Sequence, residues 1–129
     1  MLDTNTASWL IKGQPNVLAR LSAEAPERIC LSVVTEAELL YGVARRPQAR
    51  RLRLAVYEIV AAIDVLPWTS ATARRYATLR AELESRGKPL GPLDLMIAAH
   101  AAEREATLIT SDRAFGAVPG LRVEDWTAA

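Results

Sequence analysis

Short apolar runs alternate with stretches of helical spacing along this chain, and that alternation limits its possible folds more than any other feature. The run "RICLSVV" at 28–34 is rich in β-branched and apolar residues and almost free of charge. Such a run fits a strand buried on both faces, as in a parallel sheet. "DVLPW" at 64–68, "TLITSD" at 107–112 and "LRVED" at 121–125 are shorter strand candidates. Between them apolar residues recur at three and four positions, the helical period. Ala7, Leu10 and Ile11 share a face before Gly13, Val17, Leu18 and Leu21 follow Pro15, and Ala37, Leu40, Tyr41 and Ala44 precede Pro47. Further helices are expected over 48–63, 70–86 and 93–106, with "KPLGP" as a loop before the last. Strands alternating with helices predict an α/β domain with a mostly parallel sheet.

The 129 residues suit one domain over 1–129. Hydrophobic residues make up 50% of the chain, enough for a core without disulfides or a structural metal. The lone Cys30 lies in an apolar run and reads as a packed small hydrophobe. No apolar run approaches about 20 residues and "MLDTN" lacks a basic-apolar leader pattern, so a soluble cytoplasmic protein with no membrane contact is expected. A net charge of +1 excludes a global field that would draw in nucleic acid, so any basic surface must be local. The run "ARRPQARRLR" supplies Arg45, Arg46, Arg50, Arg51 and Arg53, and Arg74, Arg75, Arg86 and Lys88 add more. These either grip a phosphate backbone or sit on solvated helix faces beside glutamates.

In open parallel sheets the functional crevice lies beyond the carboxyl ends of the strands. Asp3 ends "MLD", Asp112 ends "TLITSD", and Glu36 and Glu38 follow "RICLSVV". Asp94 opens the helix at 93, among apolar neighbours. If the strands are adjacent, these acids converge. Clustered carboxylates repel and raise one another's pKa, which a cation relieves. An all-oxygen set suits Mg²⁺ or Mn²⁺ and metal-assisted phosphodiester hydrolysis. No His or Cys cluster offers a zinc site, and no Gly-rich phosphate loop is present.

Each acid also has a plainer reading. Thr35 to Glu38 matches a T-x-x-E capping box. Asp94 fits the first turn of a helix, Asp112 with Arg113 a turn, and Asp3 a solvated surface. Helix geometry separates Glu36 from Glu38 by about 200°, so only one of them can face the cleft. His100, in an Ala-rich helix, reads as a packed or surface histidine rather than a base, and Trp68 and Trp126 as packing anchors.

"LDTN", "LSVVTEAELLYG", "PLDLMIAAHA" and "LITSDRAF", taken in order over nearly the whole chain, resemble the PIN-domain family, and most of all its VapC-type toxins. The resemblance implies a three-layer α/β/α fold around a short-stranded sheet and an Mg²⁺- or Mn²⁺-dependent ribonuclease, with RNA as substrate. It also implies a small cognate antitoxin as partner and a homodimer formed through helical faces. It assigns the catalytic and metal-holding acids to Asp3, Glu38, Asp94 and Asp112, and supporting positions to Asn5 and Thr110. It selects Glu38 over Glu36, because Ala37, Leu39 and Gly42 frame Glu38 as in the family's motif. Trp9, Leu10, Leu40 and Tyr41 would be core, or an apolar groove for an antitoxin helix. The alternative expectation is a catalytically silent PIN scaffold that binds RNA or a protein without cleavage. Phosphoacceptor and haloacid-dehalogenase-type chemistries are disfavoured. Neither Lys12 nor Lys88 lies on a late strand, and Asn5 stands where the latter needs a second aspartate.

Overall fold

Leu2 holds the sheet together. The computed structural model describes residues 1–128; Ala129, the last residue of the expected domain, lies outside them. Leu2 pairs in parallel with Leu31 on one side and Ile109 on the other. The Leu2 N–H donates to the Cys30 carbonyl at 3.0 Å, the Asp3 N–H to Ile109 at 3.0 Å, and the Ile109 N–H to Met1 at 2.8 Å. Two parallel strand pairs flank this position: β1 (Cys30–Ser32) with β2 (Asp64–Leu66), and β3 (Leu108–Ile109) with β4 (Val123–Glu124). The order across the sheet is therefore β2, β1, Leu2, β3, β4, all parallel.

Side chains alternate across this sheet with the period of two that a strand imposes. Met1, Cys30, Leu66 and Leu108 face a core shared with α5 (Ser70–Ser85) and α6 (Pro92–Glu103). Leu2, Leu31, Val65 and Ile109 face the opposite core, built with α1 (Thr4–Ile11), α2 (Pro15–Ala23) and α4 (Arg50–Ala62). α3 (Val33–Ala44) gives Val34 to the first core and Leu39 and Val43 to the second, so it lies across the end of the sheet. The expected three-layer α/β/α arrangement is present.

Two boundaries differ from expectation. The strand expected over 28–34 stops at Ser32, because the Ser32 hydroxyl accepts the Val34 N–H at 3.1 Å and caps α3. Strand passes into helix with no intervening loop. The helix therefore starts before Thr35, which is buried inside its first turn, and the Thr35–Glu38 capping box does not form. Gly13 ends the first helical unit as expected, with φ of 76°, a conformation that a Cβ would strain.

His100 is fully buried, as the packed reading required. Its Nδ1 shares a 2.7 Å hydrogen bond with the Ser32 hydroxyl, and Trp68 meets its ring edge-on at 5.8 Å between centroids. Burial, helped by Arg104, holds its pKa below the usual 6.5, against Glu103 and the Pro67 carbonyl. The unfolded chain therefore binds a proton that the native state refuses, and stability falls as pH drops below 6.5. We expect up to about 1.4 kcal/mol lost per pH unit across that window. Urea unfolding of wild type and His100→Gln between about pH 7.5 and about pH 5.5 checks this; the variant should lose that component of the slope.

Candidate active site

The sequence builds the carboxyl end of this sheet from residues that cap helices and leave strands. Asp3 follows Leu2 directly, is only 3% exposed, and caps α1 by accepting the Thr6 N–H on Oδ1 at 2.7 Å. Asp112 follows β3 and caps a short 3-10 helix (Arg113–Ala117) by accepting the Ala114 N–H on Oδ1 at 2.9 Å. Thr110, buried beneath it, accepts the Asp112 N–H at 3.0 Å and so fixes that turn. Glu38, in the second turn of α3, accepts the Thr4 hydroxyl on Oε1 at 2.6 Å. Thr4 in turn lies 3.4 Å from the Thr35 hydroxyl. Each of these three carboxylates is thus steered through one oxygen, leaving the other for a ligand.

Asp94 differs. It sits in the first turn of α6, half-buried, and none of the described residues donates a hydrogen bond to it. Its pKa stands above the usual 3.8, first because burial disfavours the charge, then because Glu38, Asp112 and Asp3 repel it. The charges of all four predicted acids therefore meet at Asp94. α3 turns Glu38 toward the site, where it accepts the Thr4 hydroxyl and acts on Asp94. Among the described residues, however, no three His, Cys, Asp or Glu side chains form a ready-made metal cage. The acids share a region without closing on one point.

Asn5, expected as a support, is exposed and bonds to none of the acids; Thr4, one residue earlier, does that for Glu38. Sequence reading passed over Thr4, although a hydroxyl beside Asp3 in the first turn of α1 was the signal. Removing that hydroxyl while keeping its shape should leave Glu38 unsteered. We expect Thr4→Val to lower activity by about tenfold, as loss of a ligand-orienting partner does. The unfolding midpoint in urea should move little, because the site is partly solvated. A large stability loss would make Thr4 a structural residue instead.

Two cavities open beside the acids. One, lined by Val33, Ala37, Trp68, Leu93 and Met96 with Thr4, Glu38 and Tyr41, is mainly apolar. The other runs between α1, α3 and α4 and carries Lys12, Arg45 and Arg46. No helix of the described residues is long and apolar enough to cross a membrane.

Comparison with known proteins identifies the family and the fold. The PIN domain family model matches residues 1–121. The chain is 42% identical over 129 residues to the tRNA(fMet)-specific endonuclease VapC of Shigella flexneri, covering 98% of this chain and 97% of that one. It is 39% identical over 128 residues to the protein of the same name from Salmonella typhimurium, covering 98% and 96%. Its structure superposes on DNA-bound VapBC from Salmonella typhimurium with a TM-score of 0.91 at 37% identity, covering 98% of this chain and 96% of that one.

Proposed function

The chain belongs to the PIN-domain family, and we propose on that basis that it is the ribonuclease toxin of a toxin–antitoxin pair, cleaving RNA with a divalent metal at Asp3, Glu38, Asp94 and Asp112. The observation that carries this reading is the placement of Asp3, Glu38, Asp94 and Asp112 at the carboxyl end of one parallel sheet, near enough for the other three to raise the Asp94 pKa. Unopposed, that repulsion destabilises the site at neutral pH; a divalent cation removes it. The donor set is all oxygen, which fits Mg²⁺ or Mn²⁺ and not zinc. Mg²⁺ keeps several waters and takes only one or two direct carboxylates, so it does not require a closed cage.

Asp3 and Asp94 would hold the ion, with Asp112 and Glu38 completing the acidic wall. Bound there, it would supply an activated water and offset charge on the leaving oxygen of a phosphodiester. The chain's own residues do the positioning. Asp3 is fixed by the first turn of α1, Asp112 by Thr110 and Ala114, and Glu38 by Thr4. Glu38 keeps one oxygen free to orient the attacking water. An acid wall without a cation repels phosphate, so substrate entry itself depends on the ion. Relatives named as tRNA(fMet)-specific make that RNA the first substrate to try. Solved relatives are VapBC pairs, which supports a small antitoxin as the resting partner, and an RNA substrate is in keeping with a cytoplasmic protein.

Titrating Mg²⁺ into metal-stripped protein with labelled tRNA(fMet) tests this. Cleavage should appear with Mg²⁺ or Mn²⁺, vanish with EDTA and return with excess metal. Cleavage unaffected by EDTA would remove the metal from the account.

A further inference from the structure

Building on the ribonuclease reading above, we propose that single-stranded RNA leaves the acidic cleft along the groove between α1, α3 and α4. Its backbone would lie on Lys12, Arg45 and Arg46, and one base would stack on Tyr41. Thr4 and Glu38 line this groove as well as the acid site, so the two are continuous. Glu38 and Tyr41 on α3 and Arg45, its C-cap, stand at i, i+3 and i+7. That places them on one stripe, about 10 Å from end to end.

Tyr41 is 65% exposed and lines both cavities beside the acids, so it forms the ridge between them. The Arg45 guanidinium lies over its ring at 5.6 Å. An exposed aromatic ring with a cation over one face leaves the other face to a base, the composition of a single-strand platform, where bases stack and phosphates meet charge.

The cations of this groove are also uncommitted. Arg20, Arg28, Arg80 and Arg86 each pair with a glutamate. Among the described residues none of Arg45, Arg46, Arg50, Arg51 or Arg53 is in an ion pair, and the sequence carries no acid from Leu39 to Tyr57. An acidic peptide would satisfy the same cations. RNA is favoured because the groove runs into the acid site, where, on the reading above, a scissile phosphate has to arrive.

The test uses a labelled single-stranded RNA, read by cleavage with Mg²⁺ and by fluorescence anisotropy, over a salt series. The Arg45→Ala/Arg46→Ala double variant should raise KM and Kd about tenfold and leave kcat within about twofold. It should also flatten the log–log salt slope by about 1.4, two phosphate contacts at about 0.7 each. Tyr41→Ala should raise KM about tenfold and Tyr41→Phe should restore it, since a ring suffices for stacking. Arg74→Ala/Arg75→Ala on α5, beyond the opposite face of the sheet, should change neither. Wild-type KM, Kd and salt slope in the groove variants would overturn the proposal, and if the same variants lost affinity for an antitoxin, the groove would be the partner's. Failure of wild type to cleave any RNA would instead overturn the ribonuclease reading, and anisotropy would still decide whether RNA lies in the groove.

Discussion

Replacing Asp94 with asparagine should lower RNA cleavage by at least a hundredfold and, in the same protein stripped of metal, raise the unfolding temperature. The two signs come from one cause. Residues that merely orient a ligand are worth about 10–100-fold, and a group that holds the ion should exceed that. The carboxyl of Asp94 is raised above 3.8 by burial and by Glu38, Asp112 and Asp3. The native state therefore binds its proton more tightly than the unfolded chain does. Its stabilising contribution is complete below about 3.8 and is lost as pH rises through the folded value. At neutral pH the ionised Asp94 is a burden on the metal-free fold, and the neutral amide removes it. Mg²⁺ binds only the native state, so it should raise the unfolding temperature of wild type and leave Asp94→Asn unchanged. Wild-type cleavage by Asp94→Asn would take Asp94 out of the chemistry. Lost cleavage with an intact thermal response to Mg²⁺ would take it out of the metal site.

Leu2→Ala should be the most damaging single truncation relative to its size. Leu2 is 1% exposed and joins the two halves of the sheet through Leu31 and Ile109. Deleting a buried leucine side chain costs about 3 kcal/mol, a large part of a domain's stability of about 5–15 kcal/mol. The unfolding temperature should drop by about 10 °C. Activity should fall further than stability alone requires, since Asp3 is the next residue and its N–H is bonded to Ile109 across the same junction. Val56→Ala provides the control: it is equally buried in the same core but lies on α4, which contributes none of the acids. With both variants assayed well below their unfolding temperatures, Leu2→Ala should lose kcat and Val56→Ala should keep it. Equal losses would mean that Leu2 acts only through global stability.

What the sequence made legible was the part governed by local pattern. β-branched runs between helical periods foretold a parallel sheet, and the rule that chemistry sits beyond strand ends selected Asp3, Asp112 and the Glu36/Glu38 pair. Apolar alternation in "MLD" was too short to read, because one bridging residue has no period; only the backbone bonds of Leu2 reveal its central place. The end of β1 was misplaced because Ser32 sits within an apolar run, where its capping bond to Val34 cannot be seen from composition. The Ser32–His100 and Thr4–Glu38 bonds link residues 68 and 34 positions apart. No window along the chain contains them. The uncommitted arginines were half legible. The i,i+4 partners of Arg80 and Arg86 can be read by spacing, as can the lack of acids near Arg45–Arg53, but the groove that collects Lys12 beside them belongs to tertiary packing.

The central claim is that Asp3, Glu38, Asp94 and Asp112 act as one divalent-cation site. Anomalous scattering from crystals soaked in Mn²⁺ tests it most directly. The account predicts a peak between these four acids, with oxygens of Asp3 and Asp94 in direct contact with the ion. A peak elsewhere on the molecule, or none at saturating Mn²⁺ with the four carboxylates still apart, would contradict it.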